Sequence, residues 1–345
     1  ALGVRGWSVC ALYRLPHEQE CHYVSGVGET MDSFAGLNGK SGFVIAPFVS
    51  SGESPIVLIH PEKVMSFGSH EEITEEVQDA FNGVECAVYD TDDKSNERET
   101  YGEDFRRCHS LLESGEFSKI VLALRTTIAN RRTPFDMFRH ACERYPRVFV
   151  ALFASPWSGM WLVASPEILL EKKGNAWRTI ALAGTMETQG GWSEKNIREQ
   201  RYVATYISDS LRPFAKDLKE DGPRTVRAGH LVHLRSDFTF TTNEESISDI
   251  IEALHPTPAV CGLPKEQTLQ SIITNEHCQR GYYTGFCGPL SISEETHLFV
   301  TLRCMEVGSN AVRLYAGGGL LKDSTEESEW QETEAKMQTM KLLFK

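Results

Sequence analysis

The sequence has no excess of positive charge, no long apolar run and no closely paired cysteines. Its 35 lysines and arginines are outnumbered by 48 aspartates and glutamates, giving a net charge of −13. A surface for nucleic acid or an anionic membrane needs basic patches, so this balance argues against both partners. An anionic small molecule would need local cations, backbone N–H groups or a metal ion to bind such a chain.

The cysteines and the apolar segments exclude further classes. Nine cysteines with no C-x-x-C spacing argue against a structural zinc site and indicate reduced thiols, so we expect a cytoplasmic protein. The longest apolar stretch, 147–164, contains Pro156, Ser158 and Gly159, and two strands joined by a turn explain it better than a membrane span. Residues 1–10 carry one arginine and no long apolar run, so we expect no signal peptide.

The order of predicted elements indicates an α+β fold. Length alone suggests roughly two domains. Residues 1–90 predict strands and loops, and the charged segment 91–103 predicts an exposed connection. Antiparallel hairpins and long helices that occur in blocks are typical of α+β proteins, with helices covering sheet faces. The predicted helices are 105–114, 193–218 and 325–344, and the predicted strands are 119–125, 148–154, 160–164, 168–173, 177–182, 231–234, 297–307 and 311–316.

Two charged residues interrupt apolar strand patterns. Lys119 begins a strongly apolar strand, where it is either an exposed edge residue or a partly desolvated amine that acts as a base. Glu167 lies between two apolar strands, where it is either a solvent-facing turn residue or a functional carboxyl group. Local pattern alone leaves both alternatives open.

The two long helices also carry charges beside apolar positions. At 100° per residue, Glu199 falls on the border of the apolar face of its helix. Glu332 and Lys336 fall on the same side of the last helix as Met337 and Met340. They form either a solvated i,i+4 ion pair or a buried site, and their apolar neighbours favour the buried site.

A run of three glycines follows Tyr315 at the predicted end of a strand. Gly317, Gly318 and Gly319 could let backbone N–H groups converge on an anion, or they could form an ordinary glycine-rich loop.

Ten sequence blocks resemble the chorismate-utilising enzymes, which include isochorismate synthase, salicylate synthase, anthranilate synthase component I and aminodeoxychorismate synthase component I. They cover the last 230 or so residues in the order of the family, which makes the resemblance specific. The blocks are 119–123, 165–167, 182–185, 195–199, 231–234, 254–260, 283–285, 302–303, 313–319 and 329–332 with Lys336.

The resemblance implies a duplicated α/β/β/α layered arrangement with the active site between two central sheets. It implies one domain over 1–345 instead of the two suggested by length. Residues 1–100 would be the variable N-terminal part, and 104–345 the catalytic core.

The resemblance also assigns roles to individual residues. Lys119 would be the general base that activates water, and Glu167 the general acid that protonates the departing hydroxyl group. Glu199 and Glu332 would bind Mg²⁺, which would bridge an acidic protein to chorismate, a dianion. The residues implied to contact the substrate are Gly184, Thr185, His233, Ala259, Arg303, Tyr315, Gly317, Gly318, Gly319 and Lys336.

Two positions favour isochorismate synthase activity, an isomerase reaction, within the family. Aminodeoxychorismate synthases have a nucleophilic lysine where this chain has Ala183. The pair Ala259-Val260 resembles isochorismate synthases, whereas enzymes that release pyruvate carry threonine in this region. Leu124 and Gly281 depart from the family, which has arginine and an acidic residue at these positions.

Three alternatives stay open at this stage. The chain could be a salicylate synthase, an anthranilate synthase component I or a binding protein without activity. The resemblance implies a monomer, and it leaves open whether the product feeds menaquinone, siderophore or salicylate biosynthesis.

Overall fold

We describe the chain from a computed structural model, in which residues 9–91, 94–186, 190–228, 231–242 and 247–344 are defined. These residues form sixteen strands and seven α-helices. The strands are β1 Val9–Arg14, β2 Cys21–Met31, β3 Gly42–Ala46, β4 Ile56–Phe67, β5 Lys119–Ala129, β6 Phe149–Ser155, β7 Gly159–Ser165, β8 Ile168–Lys173, β9 Ala176–Met186, β10 Lys216–Ala228, β11 Leu231–Thr241, β12 Gly262–Leu263, β13 Phe286–Leu290, β14 Thr296–Val300, β15 Cys304–Val307 and β16 Ala311–Leu320. The helices are α1 Glu75–Asn82, α2 Lys94–Glu113, α3 Pro134–Arg144, α4 Glu194–Leu211, α5 Ile247–Leu254, α6 Lys265–Asn275 and α7 Glu326–Lys341.

All sixteen strands of the described residues join one antiparallel sheet that folds back on itself. Its order is β10-β11-β9-β8-β14-β13-β3-β4-β2-β1-β6-β7-β15-β16-β5-β12. One buried cluster contains side chains from both halves, including Phe43, Ile180 and Phe299 from one and Phe149 and Trp161 from the other. The two halves therefore pack face to face, as sheets do when each has an apolar inner face.

Helices cover the outer faces of the folded sheet. Apolar residues of α4 and α5 pack on one half, and α1, α3 and the end of the chain pack on the other. Helices α2, α6 and α7 cover β5 and β16. The predicted α+β class and the α/β/β/α layering are confirmed. None of the helices in the described ranges is long and apolar enough to span a bilayer.

The strands of the first 70 residues belong to this sheet. Strand β1 pairs with β6, and β3 pairs with β13. They connect the two halves in the middle of the strand order.

Several predicted elements are confirmed, and others differ in their bounds. The two hairpins, β6–β7 and β8–β9, form as predicted. Helix α2 begins at Lys94, so most of the predicted exposed connection is helical, and its Tyr101 is buried against Trp330. Helix α4 begins after Ser193, whose side chain accepts from the Asn196 amide, and ends at Leu211, just before Pro213, instead of at 218.

Two further differences concern the strands near the glycine run. The predicted strand 297–307 is two strands, β14 and β15, separated at Arg303, which has a φ of 46°. A positive φ is unusual for arginine and turns the chain sharply here. Strand β16 does not end before the glycines but continues through Gly317, Gly318 and Gly319 to Leu320, paired with β5.

The contact between the sheet halves gives a testable consequence. The rings of Phe149 and Phe299 stack with centroids 4.3 Å apart, and both are fully buried. We predict that Phe149→Ala lowers the free energy of unfolding by about 3–5 kcal/mol, because it removes a large buried ring and leaves a cavity. Denaturant unfolding measures this. Val64→Ala, at an exposed position, should change it by less than about 0.5 kcal/mol. A similar small change for Phe149→Ala would contradict the packing.

Candidate active site

A cavity lies where strands β5, β9, β11 and β16 meet helices α4 and α7. Its empty space is about 630 Å³, which includes space open to solvent at its mouth. Its walls combine apolar side chains with charged ones. The lining residues are Val121, Pro166, Glu167, Leu182, Ala183, Gly184, Thr185, Glu199, His233, Ala259, Val260, Tyr283, Thr284, Leu302, Arg303, Tyr315, Ala316, Gly317, Gly319 and Lys336.

Lys119 and Glu199 form a buried charged pair at one wall. Lys119 Nζ lies 3.0 Å from Glu199 Oε1, although the two atoms are not oriented for a directed hydrogen bond. Lys119 is 0% exposed. A Cβ atom at Gly319 would lie 2.1 Å from Glu199 Oε1 and 2.7 Å from Lys119 Cε, so glycine at 319 gives the pair its space. The desolvated amine alternative for Lys119 is therefore the one that the structure supports.

Glu167 is a buried carboxyl group in the turn between β7 and β8. Its backbone amide donates to Ser165 Oγ at 3.2 Å, and its carbonyl accepts from the Val300 amide at 3.0 Å, which holds the turn against β14. Burial raises the pKa of Glu167 to about 8, although Lys119, Lys336 and Arg303 act to lower it. Glu167 thus keeps a proton at neutral pH, as a general acid must.

His233 and Arg303 are in contact in the wall of the cavity. His233 Nδ1 donates to the Gly184 carbonyl at 3.0 Å, which leaves Nε2 to accept from an Arg303 guanidinium nitrogen at 3.3 Å. Burial, together with Arg303 and Lys336, lowers the pKa of His233 to about 3, so the imidazole is neutral. Arg303 also donates to Thr339 Oγ1 at 3.1 Å. The histidine orients a guanidinium that stays positively charged, which suits the binding of a carboxylate.

Alternate backbone amides of the glycine run face an open sheet edge. The amide of Val121 donates to Cys261 O and that of Ala123 donates to Glu276 Oε1, so neither points toward β16. Their register partners Gly319 and Gly317 must therefore also point away from β5. Strand β15 pairs with β16 only as far as Tyr315, which leaves these glycine amides free of strand partners.

Lys336 closes this edge of the cavity. Its Nζ donates to Gly317 O at 2.8 Å and lies 2.7 Å from Glu332 Oε1. The ammonium group is thus held between strand β16 and its own helix, one turn after Glu332.

Three carboxyl groups converge beside Gly318 and Gly319. A Cβ atom at Gly318 would lie 3.3 Å from Glu329 Oε2 and 3.6 Å from Glu332 Oε1, and Glu199 Oε1 approaches Gly319. Burial and the neighbouring Glu332 raise the pKa of Glu329, whereas Lys336 and Lys195 outweigh burial and lower the pKa of Glu332.

This donor set fits Mg²⁺. The buried Glu329 Oε2 has no hydrogen-bond partner, and such an atom calls for a water or an ion. Within the described ranges, no three His, Cys, Asp or Glu side chains could enclose a metal by themselves. Mg²⁺ does not need three, since it keeps several waters and uses one or two protein carboxylates with ligand oxygens.

The structure brings most of the predicted site residues to the cavity. Lys119 and Glu332 do not line the cavity. They lie directly behind two residues that do, with Lys119 in contact with Glu199 and Glu332 in contact with Lys336. Gly318 is the exception among the predicted substrate contacts, because strand alternation turns its amide toward β5. The hydroxyl of Tyr315 donates to Glu306 Oε2 at 3.4 Å.

Two charged residues at the site, Lys195 and Glu329, were not among the predicted site residues. Lys195 Nζ lies 2.5 Å from Glu329 Oε1, and Glu329 is buried. Helical spacing could have revealed both, since Lys195 lies four residues before Glu199 and Glu329 three residues before Glu332.

Known proteins share this sequence pattern and this fold. The isochorismate synthase DhbC of Bacillus subtilis is 28% identical over 328 residues, spanning 87% of this chain and 77% of that protein. The isochorismate synthase MenF of Escherichia coli is 31% identical over 247 residues, spanning 68% of this chain and 57% of that protein.

Solved structures give the same fold at lower identity. The menaquinone-specific isochorismate synthase MenF from Escherichia coli superposes with a TM-score of 0.79 at 22% identity, covering 98% of this chain and 89% of that one. Anthranilate synthase component I from Streptococcus pneumoniae superposes with a TM-score of 0.71 at 17% identity, covering 99% and 93%.

The sequence also matches the family described as chorismate binding enzyme over residues 60–344. This match covers most of the chain and every residue of the cavity, so the protein belongs to the chorismate binding enzymes.

Proposed function

We propose that the chain is an isochorismate synthase, which converts chorismate to isochorismate by adding water to the ring and releasing a ring hydroxyl group. The observation that carries the proposal is the buried Glu167 carboxyl group, whose pKa is raised to about 8, in a cavity whose wall is backed by the Lys119–Glu199 pair. Membership of the family and the identity to isochorismate synthases support it.

The cavity has the cations that a dianion requires. Arg303 and Lys336, with the free amides of Gly317 and Gly319, would bind the substrate carboxylates. Neutral His233 would accept a hydrogen bond from Arg303 and hold it toward the ligand. These groups overcome the repulsion expected from a chain of net charge −13.

Lys119 and Glu167 would move the protons of the reaction. Acting as the base, Lys119 would take a proton from water as the water oxygen bonds to one ring carbon. Glu167 gives its proton to the hydroxyl group that leaves from another ring carbon, so that a water molecule departs. Each proton transfer contributes about 10²–10⁴-fold to the rate.

Mg²⁺ would be held by Glu199 and Glu332, and when bound it would neutralise ligand carboxylate charge. Behind this site, the positive charge of Lys195 would offset the negative charge of Glu329 in their ion pair. Two carboxylates of this kind match the ordinary protein share of a Mg²⁺ shell.

The nucleophile and the fate of the side chain follow from small residues. Ala183 and Ala259 line the cavity, so neither position offers an amine or a hydroxyl group. This leaves water or ammonia as the nucleophile, and we propose water, with the enolpyruvyl group kept on the ring. We further propose one domain over 1–345, which the pairing of β1 with β6 and β3 with β13 supports, and a monomer, as the family resemblance implies.

Product analysis tests the function. The protein is incubated with chorismate and Mg²⁺, and the products are separated. Isochorismate without pyruvate is expected. Salicylate with pyruvate would make the chain a salicylate synthase, anthranilate formed with ammonia would make it an anthranilate synthase component, and no turnover would leave a binding protein.

Removing the base should separate catalysis from binding. We predict that Lys119→Ala lowers turnover by about 10²-fold or more, because the group proposed to accept the proton is lost, while Mg²⁺-dependent chorismate binding persists. Lys63→Ala, which breaks an exposed ion pair with Glu76, is the matched control and should keep the wild-type rate. Normal turnover in Lys119→Ala would remove this residue from the mechanism.

The raised pKa of Glu167 predicts an alkaline limb in the pH profile. The acid works only when protonated, so kcat/KM should fall about tenfold per pH unit above a pKa near 8. Measurement from pH 6 to 10 checks this, with Glu167→Gln expected to be inactive throughout. A profile that stays level to pH 10 would show that Glu167 is not the acid.

The metal assignment predicts a change in the Mg²⁺ titration. Glu199→Gln and Glu332→Gln should each raise the Mg²⁺ concentration needed for half-maximal rate by tenfold or more, because each loses an anionic ligand. Glu327→Gln, an exposed position on the same helix as Glu332, is the control and should titrate like the wild type. An unchanged titration in the first two variants would place the metal elsewhere.

A further inference from the structure

A buried ion pair outside the cavity contacts three segments of its wall. Arg280 and Glu276 are 3% and 4% exposed in their side chains, with Arg280 Nε 2.6 Å from Glu276 Oε2. Arg280 donates to Val121 O at 2.8 Å and to Val260 O at 2.7 Å, and reaches Thr284 Oγ1 at 3.4 Å. Val121, Val260 and Thr284 all line the cavity, whereas Arg280 and Glu276 do not.

The Glu276–Arg280 pair, which we call the clamp, takes the place of a neighbouring strand along part of the β5 edge. Strand β12 pairs only with Lys119 and Ile120, and Cys261 O then accepts from the Val121 amide. Beyond that point no strand of the described residues pairs with this edge of β5. Glu276 Oε1 accepts from the Ala123 amide at 2.8 Å, and Arg280 donates to Val121 O. The side chains thus continue the ladder by two further hydrogen bonds, and they satisfy backbone groups that would otherwise be buried without partners.

The chemistry of the pair suits this task. A guanidinium group has five donors in a rigid plane, so one side chain can bind several carbonyl groups at fixed angles. Replacing a buried ion pair by apolar residues often leaves stability unchanged or raises it. The contribution of this pair therefore lies more in geometry than in net stability.

We infer that Glu276 and Arg280 are positioning residues for catalysis, which hold the strand of Lys119 in register with the Val260 and Thr284 walls. This inference rests on the proposed function. A displacement of about 1 Å between reacting groups can cost about 10²-fold in rate. The carboxylate-binding groups Arg303 and Lys336 lie on other segments, so substrate affinity depends less on the pair than turnover does.

The test compares two buried arginines. Arg280→Lys keeps the positive charge beside Glu276 but cannot reach all the acceptors. Arg14→Lys is the matched control, because Arg14 is also buried and donates to three backbone carbonyls, of Cys142, Tyr145 and Val148, away from the cavity. We expect Arg280→Lys to lower kcat by tenfold or more with KM for chorismate within threefold. Arg14→Lys should lower thermal stability by a similar amount and leave both constants within twofold.

Several outcomes would overturn the inference. A kcat within twofold of wild type in Arg280→Lys would contradict it. An equal loss of kcat in Arg14→Lys would also contradict it. If Arg280→Lys does not fold, Glu276→Gln, which keeps an acceptor for the Ala123 amide, should show the same split between kcat and KM.

Hydrogen exchange in the wild-type enzyme gives a readout that needs no variant. The Ala123 amide should be as protected as its ladder neighbours in β5, and rapid exchange there would show that the clamp does not hold. Absence of isochorismate formation by the wild type would instead refute the proposed function, while the exchange result would still stand for the clamp.

Discussion

Burial of ionisable side chains around one cavity is the constraint on which the rest of the structure depends. Moving a charge from water into a protein interior is costly unless partners compensate for it. Here each of three lysines forms an ion pair with a glutamate: Lys119 with Glu199, Lys195 with Glu329 and Lys336 with Glu332. Among the described residues Glu167 forms no ion pair, and burial raises its pKa to about 8. A protonated carboxyl group and charged lysines are therefore buried around the same cavity.

The folded sheet is what makes this burial possible. Strand β5 and the β7–β8 turn lie far apart in sequence, and face-to-face packing of the two sheet halves places Glu167 in the cavity wall and Lys119 directly behind it, against Glu199. Helices α4 and α7 then supply the carboxylates from outside the sheet. Because Gly317 and Gly319 carry no side chains, the backbone of β16 can take part in ligand binding at an edge that β15 leaves open. An acidic chain thus presents a locally cationic site.

The sequence predicted the parts of this arrangement that depend on local patterns. The predicted strands 168–173 and 177–182 form the β8–β9 hairpin, and helical periodicity placed Glu199 at the border of a buried face. The resemblance to a known family supplied the roles that local pattern left open.

Other features depend on tertiary contacts that local patterns do not encode. The break at Arg303 lies within the mostly apolar segment 297–307, and a positive φ for arginine has no local signal. The glycine run looked like a strand end, but pairing with β5 carries the strand through it. The Glu276–Arg280 clamp was also missed, since its acceptors lie on β5 and in the segment after α5, far away in sequence.

The most direct test of the central claim is the protonation state of Glu167 in the folded enzyme. Infrared difference spectroscopy of wild type against Glu167→Gln reports the carbonyl stretch of a protonated carboxyl group. The account predicts a protonated signal at pH 7 that disappears as the pH rises through about 8. A carboxylate signal already complete at pH 7 would contradict it, because an ionised Glu167 has no proton to give to the leaving hydroxyl group.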